Sequence, residues 1–405
     1  MDFLTDGSIT TPDGFLAGTA ASGIKDASLD VALVYSQQPC QAAAVFTRNQ
    51  VVAAPVIIDR QTLADNKNSI HAVTVNSGNA NACTGAQGLE NATRVQEATA
   101  AVLDCQADEV LVLSTGVIGV QMPMEKVIAG INQAAQNMST ESGPWAAEAI
   151  MTTDTRPKYA AVRIELADGP ITIGGIAKGA GMIHPNMATL LGVHTTDADI
   201  EAELLQACLR TAVDQSYNRI SVDGDTSTND TILLMANGNS GVKVGDEQSI
   251  TLFQEALNSL TRYLAQQVVR DGEGASKFVE ITVAGAEDDL AAHTIANTIA
   301  TSALVKTAFA GSDANWGRIL AAAGRAGVPF DQYKTALWAG KKQSRELHLL
   351  DNGTPTRYQE ADAAAIFAEP EFKILFELQQ GDGTSTVWTS DLTHEYVSIN
   401  ADYRS

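Results

Sequence analysis

Apolar residues follow two different periods along this chain, and the switches between them mark its elements. HAVTVNSG (71–78) and EVLVLSTG (109–116) are short β-rich apolar runs, each closed by a Ser-Gly or Thr-Gly turn. Between them Leu89, Ala92, Val95, Ala98 and Val102 recur at helical spacing, which predicts a helix ending near Cys105. Pro123 then opens a second helix with Val127, Ile128, Ile131 and Ala135 on one face. KYAAVRIELADGPITIGGIAKG (158–179) predicts two strands joined at Asp-Gly-Pro.

A further apolar run follows Thr189 and ends at Thr196, which is expected to cap the next helix with Asp199 three residues on. That helix presents Ile200, Leu204, Leu205, Cys208, Leu209 and Val213. NDTILLMANG (229–238) is a strand, and Leu252, Phe253, Ala256, Leu257, Leu260 and Leu264 mark a longer helix ending before Gly272. FVEITVAG (278–285) is another strand, and KILFELQQGDGTSTVW predicts a hairpin around Gly381 to Gly383. Strands and helices interleaved in this way predict a layered, mixed α/β architecture. A chain of 405 residues buries enough core for two domains, or a large one with a smaller partner, and the segment 286–292 is the natural break.

Composition adds exclusions. Hydrophobic content is 45%, as in an ordinary globular protein, and 26 basic against 48 acidic residues leave a net charge of −22. Such a surface argues against nucleic-acid or anionic-membrane partners. No apolar run approaches the roughly 18–20 residues that a membrane span needs. The start, MDFLTDGSITTPDGFLAGTAASGIK, lacks the basic and apolar regions of a signal peptide, so a cytoplasmic location is expected. Cys40, Cys83, Cys105 and Cys208 are widely spaced and read as buried thiols. The six histidines form no HExxH or HxH cluster, so no metal is expected.

The stretch KGAGMIHPNMATLLGVHTT (178–196) carries the candidate chemistry. A threonine opening an apolar strand is ordinarily structural. Here Gly179, Ala180 and Gly181, then Pro185 and Ala188, lead into Thr189. Glycines admit positive φ and proline fixes its own, so such a segment can hold a strained bond beside a hydroxyl. If that bond is Ala188–Thr189, the threonine Oγ can attack the alanine carbonyl, and hydrolysis of the ester frees Thr189 as a new N-terminus. Its α-amino group, with an ordinary pKa of about 7.7–8.0, can then serve as general base for its own Oγ. Lys178 is either a solvated loop lysine or an anion-binding group. Ser114-Thr115-Gly116 is either a plain turn or a source of oxyanion donors. SVDGDTSTND (221–230) resembles a calcium loop in composition but lacks the EF-hand spacing, and reads as a hydrogen-bonded turn before Thr231.

NSGNANACTG (76–85), STGVIG (114–119), MTTDTRPK (151–158), KGAGMIHPNMATLL (178–191), SVDGDTSTNDT (221–231), DGEGASKF (271–278), LVKTAFAGSDANWGRIL (304–320) and NADYRS (400–405) together resemble the ornithine acetyltransferases, the glutamate N-acetyltransferases of arginine biosynthesis. The resemblance implies an α/β sandwich of the kind shared with self-processing aminopeptidases, followed by a smaller C-terminal α+β domain. It implies cleavage between Ala188 and Thr189 into chains 1–188 and 189–405, two copies of each assembling together. Residues 189–287 would complete the sandwich and 288–405 would form the smaller domain. Thr189 would be the nucleophile, Thr115 and Gly116 the oxyanion hole, and Thr152, Lys178, Thr189, Glu273, Asn400 and Ser405 the substrate contacts. The family often ends in threonine where this chain has Ser405, which keeps the hydroxyl. The implied reaction is ping-pong, from N2-acetylornithine to glutamate, without a cofactor, with acetyl-CoA as a second donor in bifunctional members. A self-processing aminopeptidase or amidase is the alternative that shares the nucleophile.

Overall fold

The computed structural model describes residues 1–184 and 190–402. Its larger sheet has nine strands: β1 (Asp2–Leu4), β2 (Phe15–Ala20), β3 (Val31–Phe46), β4 (Ile70–Asn79), β5 (Val110–Val117), β6 (Lys158–Leu166), β7 (Gly169–Lys178), β8 (Leu191–Thr196) and, after the two-residue β9 (Ile220–Ser221) of the other sheet, β10 (Thr231–Ala236). The order is β1-β6-β7-β8-β10-β3-β4-β5, with β2 on the first half of β3. The 16-residue β3 pairs β2 and β4 through Val31–Tyr35 and β10 through Gln41–Phe46. It therefore joins two half-sheets, and these stack face to face.

The pleat sends alternate residues to opposite faces, so strands of such a stack are apolar on both. In β10, Leu233 and Met235 meet Val73, Val75, Leu111 and Leu113 in the inner core. Ile232 and Leu234, one residue out of step, point the other way, into the layer of α5 (Ala202–Asp214) and α6 (Glu247–Arg270). On the far side Val110 and Val112 face the helices Gly85–Leu103 and Met124–Gln136. The result is an αββα sandwich, the expected class.

A second sheet of seven strands follows, ordered β14-β13-β12-β15-β11-β16-β9: Phe278–Ala286 (β11), Ala336–Gly340 (β12), Leu347–Asp351 (β13), Thr354–Pro355 (β14), Glu371–Glu377 (β15) and Gly383–Ser390 (β16). One face packs its own core against the helices Asp289–Ala300 and Trp316–Gly324. β11 already belongs to this sheet, so the sandwich gives way after α6, ahead of 286–292. In that segment Asp288 caps a helix by accepting the Ala291 N–H at 2.7 Å.

Three local expectations are corrected. β15 and β16 are not a hairpin, because β11 lies between them, parallel to one and antiparallel to the other. A Gly-rich connection fits a short loop over a neighbour as well as a tight turn, and only tertiary pairing separates the two. Thr196 does not cap α5: it closes β8 and donates its hydroxyl to the Thr172 carbonyl at 2.8 Å, while the helix begins six residues later at Ala202. The thiols are not uniformly buried, since Cys40 and Cys208 are buried, Cys105 is half-buried and Cys83 is exposed.

Candidate active site

The sandwich brings strand ends together along one edge. β4 and β5 run parallel with Ser77 beside Thr115, and β8 and β10 run parallel with Leu191 beside Thr231. Lys178, the last residue of the antiparallel β7, pairs with Leu191. The half-sheets are pinned here by Asn229, whose Nδ2 donates to the Ala80 carbonyl at 2.6 Å and the Ser114 carbonyl at 2.8 Å. Thr115, Gly116, Thr152, Lys178, Glu273 and Asn400 line a single cavity, open to solvent, at that edge. Ala188, Thr189 and Ser405 lie outside the described residues.

Lys178 is 2% exposed, so the solvated-loop reading fails. Its Nζ donates to the Thr152 hydroxyl at 2.9 Å and lies 3.4 Å from the Thr115 hydroxyl. The neighbouring Asp154 carboxylate stands 3.9 Å away. Burial lowers the Lys178 pKa below the ordinary lysine value, and Asp154, Glu273 and Asp230 act against that. Gly116 holds a φ of +131°, and a Cβ there would fall 2.3 Å from the Gly78 carbonyl carbon, so the turn after Thr115 requires glycine.

A buried charge network, absent from the sequence reading, underlies this edge. Asp154 accepts the Gly179 N–H at 2.7 Å and the Thr152 N–H at 3.1 Å, and pairs with Lys158 at 2.6 Å. Lys158 also pairs with Asp271 at 2.5 Å, and Asp271 accepts the Thr155 N–H and hydroxyl. Burial alone would raise the Asp154 pKa, but Lys158 and Lys178 overcome it and hold the carboxyl well below the usual range. The sequence signal was an acid and a base four apart just ahead of an apolar strand, a spacing that has no meaning outside a helix without the fold.

The 221–230 turn does more than precede a strand. Asp223 accepts the N–H groups of Met182 and Ile183 at 2.5 and 2.9 Å, and Met182 sits at a φ of +58°. Asp230 accepts the Leu190 N–H at 2.9 Å. These two aspartates therefore grip the chain on either side of 185–189. Burial raises the Asp230 pKa well above the ordinary value, against the Leu190 N–H and the Lys178 charge. His194 has no part in the cavity: it is buried between the Leu233 carbonyl and the Tyr217 hydroxyl, each 3.1 Å away, and burial drives its pKa down to about 4.

The far wall comes from the second sheet's side. Glu273 follows α6, donates its N–H to the Ala180 carbonyl at 2.8 Å, and its carboxylate accepts from Asn400 Nδ2 at 2.7 Å. Asn400 lies on the helix His394–Asp402, tied down by the Thr393 hydroxyl on the Gly274 carbonyl (2.7 Å) and the Tyr396 hydroxyl on Asp223 (3.2 Å). The cavity thus pairs a buried cation and hydroxyls on one wall with a carboxylate on the other. Among the described residues no group of three or more His, Cys, Asp or Glu could hold a metal ion, and no helix is long and apolar enough to cross a membrane.

The model of the ArgJ family matches residues 16–405. This chain belongs to the ArgJ family. It is 46% identical over 396 residues to the arginine biosynthesis bifunctional protein ArgJ of Thermotoga neapolitana, covering 97% of this chain and 99% of that one. Its identity to the protein of the same name from Symbiobacterium thermophilum is 46% over 411 residues, covering both chains in full. Among solved structures it is similar to an ArgJ from Bacillus halodurans, with 40% identity over 52% of this chain and 97% of that chain, at a TM-score of 0.49. The Thermotoga neapolitana and Symbiobacterium thermophilum relatives, matched over 97% or more of both chains, do not support the aminopeptidase alternative.

Proposed function

We propose that this ArgJ-family chain is a self-processing glutamate N-acetyltransferase of arginine biosynthesis, transferring acetyl from N2-acetylornithine to glutamate. The observation that carries the reading is the gathering of Thr115, Gly116, Thr152, Lys178, Glu273 and Asn400 around one cavity, at the edge where β8 begins two residues after Thr189. Relatives whose names place them in arginine biosynthesis match the whole chain.

Thr189 Oγ attacks the Ala188 carbonyl, the peptide becomes an ester, and water releases chains 1–188 and 189–405. The new α-amine of Thr189 then takes the proton from its own Oγ as that oxygen attacks the acetyl carbonyl of the donor. Donors at Thr115 and Gly116 hold the oxyanion. Collapse expels the α-amine of ornithine, which receives the proton from the Thr189 ammonium and leaves an acetyl-threonine ester. The amine of glutamate attacks that ester by the same steps in reverse. Glu273 pairs with the ornithine side-chain ammonium, while Lys178, with the C-terminal segment including Ser405, holds the α-carboxylate. The first chain supplies Thr115 to Lys178 and the second supplies Thr189, Glu273, Asn400 and Ser405. Neither is complete alone, and two copies of each form the working assembly in the cytoplasm. Acetyl-CoA serves as an additional donor if the chain is bifunctional like its named relatives.

The test incubates purified protein with N-acetylornithine, with and without glutamate, and separately with acetyl-CoA and glutamate. N-acetylglutamate formed from N-acetylornithine supports the reading. Free acetate released at the same rate regardless of glutamate overturns it.

A further inference from the structure

The mechanism uses Lys178 as a cation, yet Lys178 is buried and lies within hydrogen-bonding reach of two neutral hydroxyls. A lysine desolvated in this way tends to shed its proton, and something must keep it charged and aimed. Four charged groups face it: Asp154 and Lys158 from the segment before and at the start of β6, Glu273 from the loop after α6, and Asp230 ahead of β10. Lys25, which donates to the Met151 carbonyl at 2.8 Å, adds a fifth, and Glu148 lies close to Lys25.

Of these only Asp154 is within ion-pair distance of Lys178 among the described residues. It is also the only one that holds the backbone on both sides of the contact, through Gly179 N–H beside Lys178 and Thr152 N–H beside the second hydroxyl. Its side chain is 0% exposed, and it is itself anchored through Lys158 to Asp271 at the entry to the Glu273 loop. Glu273 is partly occupied by Asn400 and, in the proposed reaction, by substrate.

We propose that Asp154 is the positioning residue of this site: by fixing Lys178 and Thr152 together through one carboxylate, it keeps the Lys178 ammonium charged and held in place to receive the substrate α-carboxylate. Asp154 touches no substrate; it acts through Lys178. The inference rests on the acetyltransferase reading and adds to it an owner for the alkaline side of the pH profile. Activity requires Lys178 protonated, so it falls as pH rises through the Lys178 pKa. Removing the Asp154 charge takes away an influence that raises that pKa, and the alkaline limb must move to lower pH.

The test records kcat/KM for acetyl transfer against pH for the native enzyme, Asp154→Asn and Asp271→Asn. Each variant removes one carboxylate from buried Lys158, so both carry a comparable structural penalty, but only D154N alters the group beside Lys178. The expected result is an alkaline limb displaced to lower pH in D154N and unmoved in D271N. A limb that stays in D154N, or moves equally in both, overturns the inference. Should D154N not process, Asp154→Glu and Lys178→Arg decide it. The limb is expected to remain in D154E, which keeps the carboxylate, and to vanish in K178R, whose guanidinium stays charged unaided. A limb displaced in D154E or retained in K178R is the contrary outcome. Absence of acetyl transfer in the native enzyme is a different failure, that of the functional reading itself.

Discussion

Asn400 reaches back 127 residues to place its amide Nδ2 2.7 Å from the Glu273 carboxylate. The contact joins the last helix to the loop after α6 across the mouth of the cavity, so the C-terminal segment completes the wall that faces Lys178. Hydrogen bonds to a charged group are worth about 1–3 kcal/mol when one end is removed, and this one is near solvent, which puts it at the lower end. Asn400→Ala is accordingly expected to raise the KM for N-acetylornithine by about fivefold and to change kcat little. Steady-state kinetics at fixed glutamate measure this, and an unchanged KM contradicts a role for Asn400 in orienting Glu273.

Gly181 supports the same carboxylate from behind. A Cβ at this position would lie 2.4 Å from Glu273 Cδ, while the Gly181 φ lies outside the left-handed region. Alanine therefore suits the backbone but displaces the flexible carboxylate. Gly181→Ala is expected to weaken N-acetylornithine binding while leaving the thermal midpoint within a few degrees of native. A large drop in midpoint with unaltered KM is the opposite result.

Self-cleavage is the direct readout for Thr189. The native preparation is expected to run as two bands on a denaturing gel, the larger beginning Thr189-Leu190-Leu191. Thr189→Ala is expected to run as one band at 42.6 kDa and to be inactive, and Thr189→Ser to recover cleavage. Two bands from the alanine variant would remove Thr189 from the processing chemistry.

Acid stability tests the buried imidazole. His194 is neutral in the fold, with its pKa driven down by burial to about 4 from 6.5. Above pH 6.5 folded and unfolded chains are both neutral there, and the group adds no pH dependence. As pH falls from 6.5 toward 4 the unfolded chain binds the proton first, so stability is lost across that window, by about 3 kcal/mol in all. Urea unfolding at pH 7 and pH 5 is expected to show the decline. In His194→Gln, which does not titrate, the slope over that range is expected to be shallower. Asp154 acts in the same direction at lower pH, since its pKa is held below the ordinary carboxylate value and its ion pairs are lost on protonation.

Periodicity located most elements, because a residue's face in a strand or helix follows from its position in the run. HAVTVNSG, EVLVLSTG, the 158–179 pair and the helices that carry Leu89, Val127 and Leu252 all appear where the spacing predicts them. The long β3 went unread: its middle, SQQPCQ, breaks the pattern where the strand passes from one half-sheet to the other. The site residues came from motifs that name residue types, and Lys178 was open to a solvated reading until the fold buried it.

What the sequence determined by itself is therefore the class of the layers, the family to which its ordered motifs belong, and the candidate chemistry at Thr189, since each depends on local order along the chain. Tertiary structure decided which strands are neighbours, as with β11 between β15 and β16. It also decided which charges meet: Asp154, Lys158 and Asp271 span 117 positions and form one buried network. Charge pairing in a low-dielectric interior depends on distance and desolvation, and neither is a property of position along the chain.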